Sequence, residues 1–255
     1  MQVLSFDLSG KFAHFRKFFA NNTALSYAIP PRTTQMGMIA AILEWPRDSY
    51  YDALRSEHMR LGIQVLHPIK KSFHRLNLLS IKKDSDFRGA SGPVQTPVEV
   101  ITARDLRNGL VVYRIFVNPT ATGQSAFDDL WEQLDRQRFP INLSLGTANF
   151  SASVSSPHIY NVDDIEICQG DDEAVEIHSA VPADRVQGFT HPADQRLQLE
   201  EELLPHEFVA DYDRELGRVQ RVLFTTDGQP LPIRYTGDYY HLSRDNERFT
   251  IAFLD

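Results

Sequence analysis

The stretch AHFRKFFANNTALSYAIPPRTTQMG, residues 13–37, separates a strand-like pattern from a helix-like one, and we call it the opening segment. Before it, residues 2–10 (QVLSFDLSG) alternate polar and apolar side chains with the period of a half-buried strand. After its double proline, apolar residues follow at the spacing of one helix face: Met36, Ile39, Ala40 and Leu43. We expect Thr33 or Thr34 to cap this helix. The opening segment is therefore predicted to be a strand-to-helix connection.

The remaining N-terminal patterns predict a second helix and further strands. Trp45-Pro46 ends the first helix, and residues 47–57 are typical of a short helical turn with Asp48 at its cap. The other predicted elements are a strand at 60–69, a projecting hairpin or loop at about 70–99, a strand at 111–118, a helix at 123–138, and paired strands at 139–146 and 148–154. This order matches the ferredoxin-like βαββαβ arrangement with an insertion, the scaffold that RNA-recognition modules use.

The C-terminal part has a different character. From Val162 onward the chain is rich in strand-like pieces, and residues 160–215 carry 16 acidic against 3 basic side chains. We predict an α+β protein with a domain at 1–158 and a small, acidic, β-rich subdomain at 159–255. The run Glu200-Glu201-Glu202 is interpreted as a solvated face, with a protein contact as the alternative.

The charge is divided unevenly between the two parts. The 255 residues have a formal net charge of −8, yet residues 1–118 hold 16 Lys and Arg against 9 Asp and Glu, a balance of +7. The remaining residues hold 10 against 25, a balance of −15. This split indicates an N-terminal part that binds a polyanion and a C-terminal part that faces proteins or solvent.

Composition and motifs exclude several classes of protein. No window contains 18 apolar residues, the N-terminus lacks a basic and then apolar signal, and Cys168 is the only cysteine. We therefore expect a cytoplasmic protein without a membrane span or disulfide. The sequence contains no G-x-S-x-G, H-E-x-x-H or P-loop motif, and its histidines have no helical pair spacing. Neither a metal site nor a cofactor is predicted.

Two segments combine cations with aromatic rings, as single-stranded RNA binding requires, because rings stack on bases while cations neutralise phosphates. One is the opening segment, and the other is residues 70–88, where Phe73 and Phe87 lie between the cations. The predicted RNA-binding residues are Lys11, His14, Phe15, Arg16, Lys17, Tyr27, Arg32, Thr33, Lys70, Lys71, His74, Arg75, Lys82, Lys83 and Arg88.

These same stretches carry a family resemblance. FDLSGKFAHFRKFFANNTALSYAIPPRTTQMGMIAAIL, residues 6–43, closely resembles the N-terminal signature of the Cas-five family, RAMP-type subunits of the CRISPR Cascade complex. KKSFHRLNLLSIKK, DFRG, GPVQTPVEV and NLSLGTANFSAS are similar to its type I-B branch. The resemblance covers roughly the first 155 residues, and the acidic C-terminal part is recognised only by its position.

The resemblance implies a RAMP domain with a β-hairpin thumb and a variable C-terminal β domain. It also implies a non-catalytic subunit that binds and caps the 5′ handle of the crRNA. Its implied partners are the Cas-seven backbone subunit, the Cas-eight large subunit and, through the assembled complex, target DNA. The opening segment and the helix start at Pro31-Arg32-Thr33 would contact the handle, and residues 70 to about 99 would form the thumb.

Two alternatives remain open. One branch of the family cuts precursor crRNA without a metal, using a Tyr, Lys and His set. In this sequence Tyr27, Lys70 or Lys71, and His74 have the corresponding residue types, which predicts a metal-independent endoribonuclease as the alternative. The other alternative is a general binder of single-stranded RNA.

Overall fold

The computed structural model describes residues 1–21, 23–89, 91–137, 142–190, 196–209, 214–245 and 247–255. The chain is mostly β with two helices in these ranges, which is compatible with the predicted α+β class. Neither helix has the length and hydrophobicity to cross a membrane within the described ranges.

The N-terminal part contains both helices and a four-stranded sheet. Its elements are β1 Val3–Gly10, β2 Phe12–Ala13, β3 Phe15–Arg16, β4 Ser26–Tyr27, α1 Arg32–Ile42, β5 Met59–Val65, β6 Ile69–Leu79, β7 Pro93–Ala103, β8 Val111–Pro119, α2 Gln124–Asp135 and β9 Ser153–Tyr160. A short 3₁₀ turn at Asp84–Arg88 lies between β6 and β7.

The C-terminal part is built of strands. They are β10 Ile165–Ile177, β11 Val181–Pro182, β12 Val186–Phe189, β13 Leu199–Phe208, β14 Leu216–Thr225, β15 Leu231–Arg244 and β16 Glu247–Ile251. The 3₁₀ turn Val162–Asp164 precedes β10, and the turn Ala183–Arg185 lies between β11 and β12. Strand β15 pairs with β10, β12 and β16.

The central sheet has the order β5-β8-β1-β9, and every neighbouring pair is antiparallel. Helix α1 connects β1 to β5, and α2 connects β8 to β9. One face of the sheet packs against both helices, as buried residues from all three elements show: Leu4, Phe6, Leu8, Met36, Ile39, Phe127 and Leu130. The predicted apolar face of α1 is therefore confirmed, and α2 buries Phe127, Leu130 and Leu134. The same core contains Leu204, Val222 and Phe224, so β13 and β14 also contribute to it.

The second face of the sheet is covered too. Val3, Phe116 and Tyr160 pack against Tyr240, Leu242, Ile251 and Phe253 from the C-terminal part. On this face Arg114 donates to both oxygens of Asp7, at 2.7 and 3.0 Å. The prediction of a half-buried β1 was therefore wrong: Ser5 and Asp7 are buried because the C-terminal strands cover the side that was expected to face solvent.

Strands β6 and β7 form the predicted hairpin. Their antiparallel register runs from Ile69 opposite Ala103 to Leu79 opposite Pro93. The hairpin is thus longer than the predicted 70–99, and residues 80–89, 91 and 92 lie at its tip. Near its base β7 also pairs with β2, which ties the hairpin to the start of the opening segment.

Three local predictions were wrong. Helix α1 begins at Arg32 with Pro31 as its cap, so neither Thr33 nor Thr34 caps it. Residues 47–57 do contain a helical turn, in which the Leu54 amide donates to the Tyr50 carbonyl oxygen at 3.1 Å, but Asp48 is not its cap, because its φ of 64° is left-handed. In the predicted strand pair at 139–154, residues 139–141 lie outside the described ranges; the rest forms only an isolated bridge between Ser144 and Ser151 before β9 begins at Ser153.

Arg32 joins distant parts of the fold. Its side chain is only 1% exposed, because helix α1 buries the residue at its first position. The guanidinium donates to the carbonyl oxygens of Leu54 and Met59 at 3.0 and 2.6 Å, and to Asp255 Oδ1 at 3.2 Å. A carboxylate of β13, Glu207, lies 3.9 Å away. One buried cation therefore links α1, the entry to β5 and the last residue of the chain.

Arg32→Ala is expected to lower the free energy of unfolding by about 3–5 kcal/mol, since removing one partner of a buried ion pair leaves the other buried and uncompensated. Urea denaturation measures the change. Arg47→Ala is the matched control, because Arg47 pairs with Asp48 on the surface, where such pairs contribute roughly 0–1 kcal/mol. Equal, small losses for both variants would contradict the structural role of Arg32.

His206, next to Glu207 on β13, predicts a pH dependence of stability. Burial, reinforced by Arg32 and Arg218, lowers its pKa to about 4. The unfolded chain therefore takes up a proton between about pH 6.5 and pH 4 while the folded protein does not, so stability is lost as the pH falls through this window. Burial raises the pKa of Asp255 to about 6, which acts in the opposite direction.

Comparing wild type with His206→Gln measures the histidine together with its contact to Asp255, whose Oδ1 lies 4.0 Å from His206 Nε2 in the wild type. We expect the unfolding free energy of the wild type, minus that of the variant, to rise by about 2–3 kcal/mol from about pH 4 to about pH 7. Chemical denaturation across this pH range measures it. A difference that stays constant with pH would show that His206 is protonated equally in both states.

Candidate nucleic-acid interface

A cleft of about 650 Å³ brings the predicted RNA-binding segments together. It is lined by the opening segment, by α1, by the hairpin strands and by residues 142–150. Of the predicted site residues, it contains His14, Phe15, Arg16 and Thr33. Its other lining residues include hydroxyls, amides and rings: Thr34, Tyr50, Asn142, Ser144, Asn149, Phe150 and Phe208. This volume and mixture are typical of a site for a small or extended ligand.

The turn at Gly146 forms one wall of the cleft. The His14 amide donates to the Leu145 carbonyl oxygen at 3.0 Å, which holds the turn against the opening segment. Gly146 has a φ of +96°, and a Cβ there would lie 1.9 Å from the His14 carbonyl oxygen. Only glycine fits this position. Residue 146 was not among the predicted site residues, although the motif NLSLGTANFSAS contains it.

His14 joins the opening segment to the hairpin. Its Nδ1 lies 2.7 Å from the carbonyl oxygen of Glu99 on β7, so this nitrogen carries the hydrogen. The Glu99 side chain in turn accepts from the Ser26 amide at 2.8 Å. Phe15 beside it is buried in the core with its ring edge-on to Tyr113. These residues therefore hold the wall of the cleft in place through contacts with the hairpin and the core.

Two exposed cations line this cleft. Arg214 pairs with Asp48 at 3.2 Å, whereas the Arg16 guanidinium donates to the Ala20 carbonyl oxygen at 3.1 Å. Two other predicted cations also donate to carbonyl oxygens. Lys11 donates to those of Arg107 and Gly109, and Lys70 donates to that of Arg104. A carbonyl oxygen leaves the positive charge of its donor uncompensated, so these side chains can still attract phosphate.

Lys17 and Lys71 are held differently. Both donate to Glu202 on β13, and Lys71 also donates to Glu200. Glu202 is buried with 7% of its surface exposed. The interpretation of the acidic run as a solvated face was therefore wrong for Glu202, which lies inside the protein between two basic segments.

Tyr27 and Arg32 are completely buried. Burial raises the pKa of Tyr27 to about 12, and Glu202 adds to the effect. The remaining residues of the endoribonuclease set lie on β6: Lys70, Lys71 and the exposed His74, whose Nε2 is 3.1 Å from the Ser72 hydroxyl. The endoribonuclease alternative stays a prediction.

The tip of the hairpin presents the remaining predicted cations. Asp86 organises it by accepting from the Ser91 hydroxyl and from the amides of Lys82 and Lys83, and these bonds lower the pKa of Asp86. Lys82, Lys83 and Arg88 are exposed, as is Arg75 on β6. Within the described ranges none of these four forms an ion pair.

Two aromatic rings accompany the exposed cations of the hairpin. Phe73 is 62% exposed and Phe87 is 67% exposed, which is unusual for large apolar side chains. Exposed rings beside cations can stack on unpaired bases. Among the residues that the structure describes, no group of three or more His, Cys, Asp or Glu side chains is arranged to hold a metal ion.

Comparison with solved structures gives matches along nearly the whole chain. A crystal structure of a CRISPR protein from Archaeoglobus fulgidus aligns with 98% of this chain and 98% of its own, with 13% identity and a TM-score of 0.56. A chain of a CRISPR RNA-guided surveillance complex is 14% identical, with coverages of 90% and 91% and a TM-score of 0.48. A structure described as a Cas protein is 14% identical, covers 92% and 98%, and has a TM-score of 0.46.

No protein-family model matches the sequence, and no curated protein matches it significantly. The similarity to the Archaeoglobus protein nevertheless extends through the C-terminal strands, beyond the residues that carry the sequence resemblance. The chain therefore shares the fold of a CRISPR protein, and the predicted resemblance to CRISPR-associated subunits is confirmed at the level of the fold.

Gly146→Ala is expected to destabilise the wall of the cleft, because the added methyl group would overlap the His14 carbonyl oxygen and the backbone would be strained. We expect a loss of at least about 2 kcal/mol, or about 4–8 °C in melting temperature. Gly188→Ala is the matched control, since a Cβ at Gly188 meets no atom within 4 Å. An unchanged melting temperature for Gly146→Ala would contradict the close approach.

Proposed function

We propose that this chain is a non-catalytic subunit of a type I, I-B-like CRISPR Cascade that binds and caps the 5′ handle of the crRNA. The observation that carries the proposal is a hairpin with unpaired cations and exposed rings, on a fold shared along its length with a CRISPR protein. Cations without carboxylate partners supply affinity for phosphates, and exposed rings supply stacking for unpaired bases.

The proposed domain is a ferredoxin-like RAMP unit made of β1, α1, β5, β8, α2 and β9. The sheet order β5-β8-β1-β9 and the antiparallel pairing of all neighbours support this arrangement. The hairpin is inserted between the second and third strands of this unit and would be the thumb. The cleft at the base of the hairpin, which Arg16 lines, would bind the 5′ handle.

The proposal includes protein partners. A hairpin with exposed apolar residues on both strands, such as Leu78 and Val94, is unlike the surface of a protein that works alone. In the assembled complex we expect the Cas-seven backbone subunit and the Cas-eight large subunit as neighbours, and target DNA would be contacted through the complex.

Replacing the tip cations together, Lys82→Ala, Lys83→Ala and Arg88→Ala, is expected to weaken binding of labelled RNA that carries the handle. Each phosphate contact contributes about 0.7 to the slope of log affinity against log salt for a single strand, so the slope should become shallower by about 2. Titrations of the full chain at several salt concentrations measure it, with random RNA of equal length as competitor.

The matched control removes three exposed cations of the C-terminal part, Arg221, Arg234 and Arg248, which pair with Glu201, Asp172 and Glu166. This control should bind the handle as the wild type does. Equal affinities and slopes for the tip variant and the wild type would overturn the role of the tip. Equal competition by random RNA would instead favour a general single-strand binder.

A further inference from the structure

Strand β13 brings two carboxylates against the two basic segments. Glu202 Oε1 accepts from Lys17 Nζ at 2.8 Å and from Lys71 Nζ at 2.9 Å, while its Oε2 accepts from the Ala28 amide at 2.9 Å. Glu200 Oε2 accepts from Lys71 Nζ at 2.7 Å. One carboxylate thus bridges a lysine of the opening segment and a lysine of the hairpin.

The acidic run is divided by the alternation of a strand. Successive side chains point to opposite faces, so Glu200 and Glu202 share one face and Glu201 lies on the other. Glu201 is 41% exposed on its side chain and pairs with Arg221 of β14 at the surface. Glu200 and Glu202 therefore both contact Lys71, whereas Glu201 pairs elsewhere and can be replaced as a control.

The local charge at this contact sums to zero, because two ammonium groups meet two carboxylates. The lysine side chains are only 19% and 20% exposed, and Lys71 uses two of its three donors on the glutamates. An RNA phosphate approaching either lysine would meet a carboxylate of the same sign as itself. Arg16, Arg75, Lys82, Lys83 and Arg88 have no such carboxylate in the described part of the chain.

We infer that Glu200 and Glu202 are internal competitors of RNA phosphate that occupy Lys17 and Lys71 and keep RNA phosphate away from these two lysines. This inference rests on the proposed function. Phosphate binding is then confined to Arg16 at the cleft and to the other cations of the hairpin. The attraction of the protein for polyanions that lack the handle is reduced as well. Recognition is sharpened because non-specific binding depends on the number of accessible cations.

The double variant Glu200→Gln/Glu202→Gln tests the inference. Glutamine keeps an oxygen to accept from the Ala28 amide, while both lysines lose their competitor. Random single-stranded RNA should then gain up to two phosphate contacts, and the slope of log affinity against log salt should steepen by about 1.4. Between 50 and 200 mM salt, the fall in affinity should be about sevenfold larger than for the wild type.

Glu201→Gln is the matched control and should leave the slope unchanged. A second variant, Lys17→Gln, keeps Lys71 on Glu202 and should bind handle RNA with the wild-type affinity and slope. A fall in affinity for Lys17→Gln, or a wild-type slope for the double variant, would overturn the inference even if the double variant is less stable. Absence of RNA binding by the wild type and by every variant would count against the proposed function as well.

Discussion

The burial of a single guanidinium constrains most of the architecture. Arg32 begins helix α1 immediately after the double proline, and its five donors must be satisfied because the side chain has no access to water. The carbonyl oxygens of Leu54 and Met59 supply two partners, and Asp255 supplies a third. The helix, the entry to the central sheet and the end of the chain are thus fixed relative to one another by one side chain.

Local sequence patterns predicted some elements of the fold. The apolar face of α1 followed from periodicity, because a 3.6-residue repeat reports which side of a helix is apolar. The hairpin followed from the basic composition and the glycines and prolines of residues 70–99. The pattern failed where two layers cover one element. In β1 the small or charged Ser5 and Asp7 are buried, and Asp7 is compensated by Arg114, a partner 107 residues away. No window of sequence contains that pairing.

The candidate site shows the same limit more sharply. Residue types identified two basic and aromatic segments, and the structure brings parts of both to one cleft. Composition could not divide their cations into free and compensated ones, since Lys17 and Glu202 are 185 residues apart in the chain but 2.8 Å apart in space. Nor could it show that Arg32 is an internal anchor, or that Gly146 is required by the approach of the His14 backbone.

The opposite charges of the two parts therefore do not belong to two independent surfaces. Some of the acidic side chains of the C-terminal part form ion pairs inside the protein: Glu202 pairs with lysines of the opening segment and of the hairpin, and Glu207 lies beside Arg32. An acidic C-terminal part that neutralises selected cations leaves the others as the only strong attractors for a polyanion. Net charge describes how a protein repels or attracts at a distance, whereas the choice of which cations remain unpaired determines where a polyanion binds. A protein with a formal charge of −8 can thus have a surface that attracts a polyanion, provided that its carboxylates do not pair with the cations of that surface.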